Sequence, residues 1–332
     1  MKGVRFMYDS VKLEKGMYHL ANRSFLDALE QADPSEQYAG TPLAELDAFE
    51  RQLKRFDIHL SGDHCDKVEK FYASTESAVL FPEFIRRAVK QGMEESILPE
   101  LCAAVTKTNG TSYKGFAIDE DDGAYSETFD QGEELKITAI TESEVAISLN
   151  KFGRVVTASY EIVRQQRIDV FSVTLRAIGH KLAAAIAGAA LDVLADSVTP
   201  ITITGTALAY ADLVALFGEF SDYDLTTVIA SPKNVAAILA MDEMQERTLD
   251  ADGTIRLPFG AKLLKDSTLS DTTIIGISKD FALECVTGSD VLLETDQLID
   301  CQLDRIAVSV RVGFQPLMDG ATAVLDWTSE SA

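Results

Sequence analysis

Eight acidic residues fall within one 16-residue stretch and form the densest group of potential ligands in the sequence. No Lys or Arg interrupts them: they are Asp119, Glu120, Asp121, Asp122, Glu127, Asp130, Glu133 and Glu134. Closely spaced carboxylates are the ligands that Ca²⁺ prefers. The EF-hand order is not met, because Gly123 occupies the fifth position and no Glu closes the loop in register. A solvated acidic loop is therefore favoured over a calcium site.

Histidine and cysteine offer a weaker candidate for metal binding. His59, His64 and Cys65 lie close together in the sequence, with Asp63 or Asp66 as a further ligand. Their spacing matches neither a zinc finger nor the HExxH motif, so a structural role is favoured over a metal site. A fourth candidate, His180, is predicted to be a surface or interface residue within a helix.

Composition excludes several function classes. Thirty Lys and Arg against 53 Asp and Glu give a net charge of −23, which argues against a basic nucleic-acid binder. Neither a dinucleotide fingerprint, a phosphate-binding loop nor a GxSxG elbow occurs, so we expect no enzyme activity, cofactor or metal. The longest apolar run, 182–191, has 10 residues, short of the roughly 20 that a membrane span needs. No signal peptide or CxxC pair is seen, which indicates synthesis in the cytoplasm with reduced thiols.

The acidic stretch must be positioned by a hairpin. Residues 113–118 are a short strand candidate, and residues 135–140 and 144–158 alternate apolar and polar side chains, as half-buried strands do. Eight carboxylates at the tip would be costly to bury, so the hairpin is predicted to project from the body. A helix without Pro follows over 159–195, roughly 50 Å long. Mixed α/β structure then extends from residue 199 to the end, with Ser231 and Pro232 predicted to start a helix.

Two amphipathic helices are predicted before the hairpin. The first begins with Thr41 as N-cap and Pro42 at the first position, and runs to about Phe56. The second surrounds Phe84 and ends at Gly92. Their outer faces are predicted to carry two basic clusters, Arg51, Lys54 and Arg55 on the first helix and Arg86, Arg87 and Lys90 on the second.

The order of these parts resembles the tailed-bacteriophage major capsid protein family. The resemblance is strongest over 148–194, which includes the Lys151-Phe152-Gly153 turn and the long helix. It continues in the same order over 208–220, 228–239 and 277–325, and it leaves residues 1–75 uncovered. Each motif is loose, and their shared order over most of the chain makes the match specific.

This resemblance implies an α+β phage major capsid fold with an N-terminal arm, a projecting E-loop hairpin, a long spine helix in a P-domain and a mixed α/β A-domain. The implied boundaries are 1–110 for the N-terminal helical extension and arm, 111–158 for the E-loop, 159–198 for the spine helix, 199–298 for the A-domain and 299–332 for the return strands of the P-domain. The implied function is self-assembly into pentamers and hexamers of an icosahedral shell that encloses double-stranded DNA without sequence-specific binding.

The resemblance also implies partners and a location. These are other copies of the chain, with scaffolding, portal and decoration proteins, in a virion assembled in the host bacterial cytoplasm and without a membrane. An encapsulin-type bacterial compartment that encloses an enzyme cargo is the alternative. We expect the acidic hairpin tip to meet the two basic clusters of a neighbouring copy, because opposite charges guide docking.

Two properties of some family members bear on this chain. Some members crosslink through an E-loop Lys and a neighbour's Asn, but residues 119–134 contain no Lys and only Lys114 and Lys136 flank them. We therefore expect no crosslink. Some members also lose an N-terminal scaffolding segment to a protease. We expect residues 1–75 to be a retained structural arm, with a captured immature state as the alternative.

Overall fold

A computed structural model describes residues 7–19, 23–120, 128–135, 137–143, 145–203, 208–245, 253–288, 291–298 and 303–327. The α-helices in chain order are α1 (Phe25–Ala32), α2 (Ala48–Arg55), α3 (Thr75–Ala78), α4 (Leu80–Glu94), α5 (Leu98–Leu101), α6 (Tyr160–Gln165), α7 (Ile168–Asp196), α8 (Tyr210–Gly218), α9 (Pro232–Leu239), α10 (Asp242–Gln245) and α11 (Lys279–Ala282). Short 3₁₀ helices lie at Met7–Ser10, Lys15–His19, Ser35–Tyr38 and Val68–Tyr72.

The β-strands in chain order are β1 (Ala104–Lys107), β2 (Ser112–Tyr113), β3 (Phe116–Glu120), β4 (Thr138–Glu142), β5 (Ile147–Ser148), β6 (Asn150–Ser159), β7 (Ile201–Thr202), β8 (Thr227–Ala230), β9 (Lys262–Lys265), β10 (Thr273–Ile277), β11 (Leu283–Thr287), β12 (Leu292–Leu298), β13 (Leu303–Pro316) and β14 (Thr322–Asp326). The chain divides into two compact units. The first contains 1–96, 153–183 and 291–309, and the second contains 97–152, 184–290 and 310–332.

The first unit is built around an aromatic cluster. Phe71 is fully buried, and its ring lies 5.4 Å from those of both Phe81 and Phe84. Phe171 of α7 stacks on Phe81 at 6.1 Å. Because these rings come from three separate stretches of the chain, the cluster joins the N-terminal segment, α4 and the start of α7 into one core.

Two glycines allow α4 and α7 to cross at backbone contact. A Cβ atom added at Gly179 would lie 2.1 Å from the carbonyl oxygen of Val89, and one added at Gly92 would lie 2.1 Å from that of Arg176. No side chain fits at either position. The prediction that Gly92 ends its helix is therefore wrong, since α4 continues to Glu94 and Gly92 serves the crossing.

The predicted start of α2 is also wrong. The helix begins at Ala48, with Asp47 as N-cap. The Glu50 backbone N–H donates to the Asp47 side chain, and the Asp47 backbone N–H donates to the Glu50 side chain. Thr41 instead stabilises a turn, donating its hydroxyl to the carbonyl oxygen of Tyr38 at 2.7 Å. The reciprocal Asp-Glu pair is the stronger helix start, because it satisfies two backbone donors.

The long helix is interrupted where one continuous helix was predicted. Between α6 and α7, Gln166 has extended backbone with ψ of 145°. Beyond the interruption, α7 is long and apolar enough to cross a membrane by length and composition, a test that core helices of globular proteins also pass. Its side chains Leu175, Ile186 and Leu194 are buried within the protein.

The second unit contains a sheet with the strand order β7-β14-β10-β8-β9. β10 pairs antiparallel with β8 and β14, and β9 runs parallel to β8. Every residue of β8 is buried, and Leu213, Leu216 and Ile238 of α8 and α9 pack in the same apolar core. As predicted, Ser231 caps α9 and Pro232 is its first residue.

Other strands in this unit support the hairpin region. β1 pairs parallel with β11, and β11 pairs antiparallel with residues 312–316 of β13. In the first unit, residues 303–309 of β13 pair antiparallel with β12. The predicted strands at 273–277, 282–288 and 305–317 are therefore confirmed to within two residues.

The helix crossing yields a stability prediction. Gly179→Ala forces a methyl group against the Val89 carbonyl, so we expect a loss of about 1–3 kcal/mol in the free energy of unfolding. Gly218→Ala is the matched control, because nothing lies within 4 Å of its added Cβ and the helix preference of Ala favours the change. Urea denaturation of both variants measures the difference. Equal stability of the two would show that α4 and α7 do not meet at this point.

Candidate subunit interface

The predicted hairpin is present as two antiparallel ladders. β2 pairs with β5, with Ser112 opposite Ser148, and β3 pairs with β4 from Phe116↔Glu142 to Glu120↔Thr138. The second ladder begins at Thr138, three residues later than predicted. The long return strand is also divided, because β5 ends at Ser148 and β6 begins at Asn150.

The acidic residues lie around the far end of the second ladder. Asp119 and Glu120 are the last two residues of β3. Asp130, Glu133 and Glu134 are exposed on the way to β4, where the Asp130 backbone N–H donates to Glu133 Oε2 at 2.9 Å. The other three, Asp121, Asp122 and Glu127, fall outside the described residues. Of these three carboxylates, that of Glu133 stabilises its own turn, and those of Asp130 and Glu134 face solvent.

The hairpin also carries exposed apolar side chains, which the sequence pattern did not reveal. Leu135, Ile137, Ile140 and Val145 are between 61% and 76% exposed. Alternation predicted half-buried strands, but among the described residues these four side chains remain largely exposed.

The base of the hairpin is held tightly against the sheet of the second unit. A Cβ atom at Gly115 would lie 2.1 Å from Gln315 Oε1, so the hairpin backbone contacts that side chain directly. Gln315 lies opposite Glu284, whose buried carboxylate accepts a hydrogen bond from Thr106. Burial and the negative charge of Glu284 raise the pKa of Tyr113 in β2.

Arg51 is not on the outer face of its helix, and its assignment to a basic docking cluster is wrong. The side chain is fully buried, with Nε 2.6 Å from Asp33 Oδ2 and Nη2 2.7 Å from the Asp33 carbonyl oxygen. Its guanidinium lies 4.4 Å from the Tyr38 ring centre. Burial and the hydrogen bond to Asp33 raise the pKa of Tyr38 to about 12. Helical periodicity could not reveal this burial, because the residues that cover Arg51 come from an earlier turn.

Three of the other predicted cations are neutralised within the chain. Arg86 and Arg87 both contact the buried Glu83, at 2.8 Å and 3.2 Å, and Arg87 also reaches Asp47 at 2.7 Å. Arg55 contacts Glu76 at 2.9 Å. Each of these arginines retains partial exposure.

Two of the predicted cations are exposed lysines. Lys54 and Lys90 face solvent, and within the described ranges neither has an ion pair. These two lysines are therefore the most accessible members of the proposed docking clusters.

The histidine and cysteine candidates lie in one loop of the first unit. His59 Nδ1 is 3.2 Å from Asp66 Oδ2, while His64 is exposed and Cys65 is a half-buried free thiol. In the part of the chain that the structure describes, no three His, Cys, Asp or Glu side chains are arranged to hold a metal ion. His180 is exposed on α7.

Comparison with known families agrees with this arrangement. The profile of a family described as phage capsid protein matches residues 141–317, from the end of β4 to the end of β13. This match covers more than half of the sequence. The chain belongs to the phage capsid protein family. Members of this family are structural proteins of capsids, and the α+β fold with its long helix is the major capsid fold.

Solved structures show the same fold at low sequence identity. A virus-like particle from Pyrococcus furiosus aligns with a TM-score of 0.55 and 16% identity, over 74% of this chain and 98% of that chain. The capsid of an empty GTA particle aligns with a TM-score of 0.50 and 18% identity, over 70% of this chain and 90% of that chain. The holo-SrpI encapsulin complex from Synechococcus elongatus PCC 7942 aligns with a TM-score of 0.50 and 13% identity, over 69% of this chain and 88% of that chain. A search of curated proteins found no match.

The buried cation in this phage capsid family member gives a direct test. Arg51→Ala leaves the Asp33 carboxylate buried without its partner, so we expect a loss of about 3–5 kcal/mol in the free energy of unfolding. Lys54→Ala on the same helix is the control and is expected to change stability by less than about 0.5 kcal/mol. Urea denaturation monitored by circular dichroism compares them. An Arg51→Ala variant as stable as the control would mean that Arg51 is on the surface after all.

Proposed function

We propose that the chain is a major capsid protein whose copies assemble into pentamers and hexamers of an icosahedral shell around double-stranded DNA. The family match over 141–317 carries this proposal. It contains the hairpin's return strands β5 and β6, the long helix α7, and β13, which has residues in both units. The partners that follow are other copies, with scaffolding, portal and decoration proteins. The location is the virion, after assembly in the bacterial cytoplasm.

The parts of the chain receive roles under this proposal. Residues 111–158 act as the E-loop over a neighbouring subunit, and 159–198 act as the spine helix of the P-domain. Residues 199–298 form the A-domain near the symmetry axes, and 299–332 return to the P-domain. Residues before 110 form the N-terminal extension. Packing of the N-terminal aromatic core against α7 supports a permanent place for that extension.

Surface chemistry supports assembly. The exposed apolar side chains of the hairpin, such as Ile140 at 72% exposure, become favourable contacts when a neighbour covers them. Many identical weak contacts in closed symmetry give a strong shell. The net charge of −23 suits a wall beside packed DNA, because it repels phosphate and prevents adhesion.

An encapsulin-type shell around an enzyme cargo is the second candidate. Its support is the likeness of fold to the SrpI encapsulin complex, at the same TM-score as the GTA capsid. The two functions differ in the contents of the particle rather than in the subunit. The contents therefore decide between them.

Sedimentation velocity and negative-stain microscopy of the expressed chain, alone and with a co-expressed scaffold, test the proposal. Shells or pentameric and hexameric capsomers support a container. Particles from infected or induced cells that hold nuclease-protected DNA support the capsid, and particles that hold a protein cargo support the compartment. A monomer or dimer that persists at high concentration with scaffold present would contradict both.

The acidic hairpin is expected to guide docking between copies. Asp130→Lys combined with Glu134→Lys reverses two exposed charges and keeps both the backbone N–H of residue 130 and the Glu133 side chain that accepts from it. We expect it to reduce particle yield at moderate salt at least tenfold. Glu94→Lys combined with Glu95→Lys is the control, with the same change in net charge at exposed positions of the first unit. Sedimentation at several salt concentrations measures both. Equal yields would remove the acidic residues from the interface.

A further inference from the structure

The interruption between α6 and α7 conflicts with the local sequence. The two residues at the interruption are Gln166 and Arg167. Gln and Arg are both good helix formers, unlike the helix-breaking Pro and Gly. The backbone nevertheless leaves the helix at Gln166 and resumes it at Ile168. A local preference that the structure overrides requires a tertiary contact strong enough to do so.

That contact comes from residues 66–68. The Val68 backbone N–H donates to the Gln166 carbonyl oxygen at 2.9 Å, and the Ile168 N–H donates to the Asp66 carbonyl oxygen at 3.0 Å. Lys67 and Arg167 form an antiparallel β-bridge between these bonds. Both backbone groups that a continuous helix would use are therefore occupied by an earlier part of the chain.

The loop before residue 66 is fixed by its own bonds. The His59 backbone N–H donates to Asp66 Oδ2 at 2.9 Å, and the Asp66 N–H donates to the His59 carbonyl oxygen at 3.0 Å. Asp57, at the start of the loop, has a left-handed φ of 55° that ends α2, with the Ile58 N–H donating to the Leu53 carbonyl oxygen at 2.9 Å. The 66–68 segment is thus presented in a defined position.

Burial ties this loop to the core of the first unit. Val68 and Phe71 are fully buried, and Phe71 contacts the rings of Phe81 and Phe84. Arg164 of α6 lies 4.6 Å from the Tyr72 ring centre. Loss of residues up to 75 would expose these rings and both edges of the bridge.

We propose that residues 57–72 form a permanent internal clamp that interrupts the long helix, and that the N-terminal segment consequently stays in the assembled subunit. The clamp lies outside the 141–317 family match, whereas the helix that it interrupts lies inside. The clamp itself stands on the contacts within one chain. Its retention in particles rests on the proposed function.

Val68→Pro tests the clamp by removing one hydrogen-bond donor. Val68 is the first residue of a 3₁₀ helix and follows an extended Lys67, a position that Pro accepts without strain. In the full-length soluble chain, we expect amide hydrogen exchange at Ile168 to accelerate about tenfold. Val68→Ala keeps the donor and trims the same buried side chain, so it is the matched control and is expected to change exchange at Ile168 much less. Equal exchange in the two variants would overturn the clamp.

A second variant covers the case in which Val68→Pro does not fold. Asp66→Ala removes the acceptor of the His59 N–H and leaves every backbone donor in place, so exchange at His59 and Val68 should accelerate. Asp63→Ala, at an exposed position of the same loop, should leave both amides unchanged. Unchanged exchange in Asp66→Ala would show that the loop does not hold the bridge.

Intact mass spectrometry of subunits from purified particles tests retention. We expect residues 7–75 to be present, and subunits that begin after residue 75 would overturn retention. Failure to form particles would contradict the proposed function instead. Limited proteolysis of the soluble chain would then decide, and release of a stable fragment that begins near residue 76 would refute retention.

Discussion

The first unit depends on backbone contact between α4 and α7. Gly92 and Gly179 leave no space for side chains, so the two helices approach until a carbonyl of one lies where the other's Cβ would be. This close approach places the aromatic ring of Phe81 beside Phe171, and Phe71 packs on Phe84 in the same cluster. The N-terminal segment must therefore fold onto the crossing, and the 66–68 bridge follows from where that segment comes to lie.

Local signals predicted the second unit better than the first. β10 matches its predicted bounds, and Ser231 and Pro232 begin α9, because buried apolar runs and helix caps are written in neighbouring residues. The first unit departs from prediction at α2 and between α6 and α7. At α2 the deciding signal is local, since Asp47 and Glu50 form a reciprocal cap that the Thr41-Pro42 interpretation passed over. Between α6 and α7 the deciding partners are distant in sequence, such as Asp66 for Ile168, and no local pattern reports them.

The candidate interface divides in the same way. The acidic end of the hairpin and its antiparallel ladder were predictable, since charge density and alternation are local properties. The burial of Arg51 was not, because its charge is balanced by Asp33, eighteen residues earlier. Exposure of Ile140 also escaped prediction, since alternation indicates two faces of a strand without stating what covers either face.

The hairpin combines two kinds of surface that act differently in association. Apolar side chains such as Ile137 and Ile140 favour any cover that removes them from water, and this attraction has no direction. An exposed two-stranded ladder with such residues would also pair with a second hairpin. The carboxylates at its end oppose that pairing, because two identical acidic ends repel one another. Under the proposed function, this repulsion would disfavour a symmetric contact between hairpins, and apolar burial would stabilise a contact with a different surface of the next copy, the heterologous kind of contact that forms closed rings.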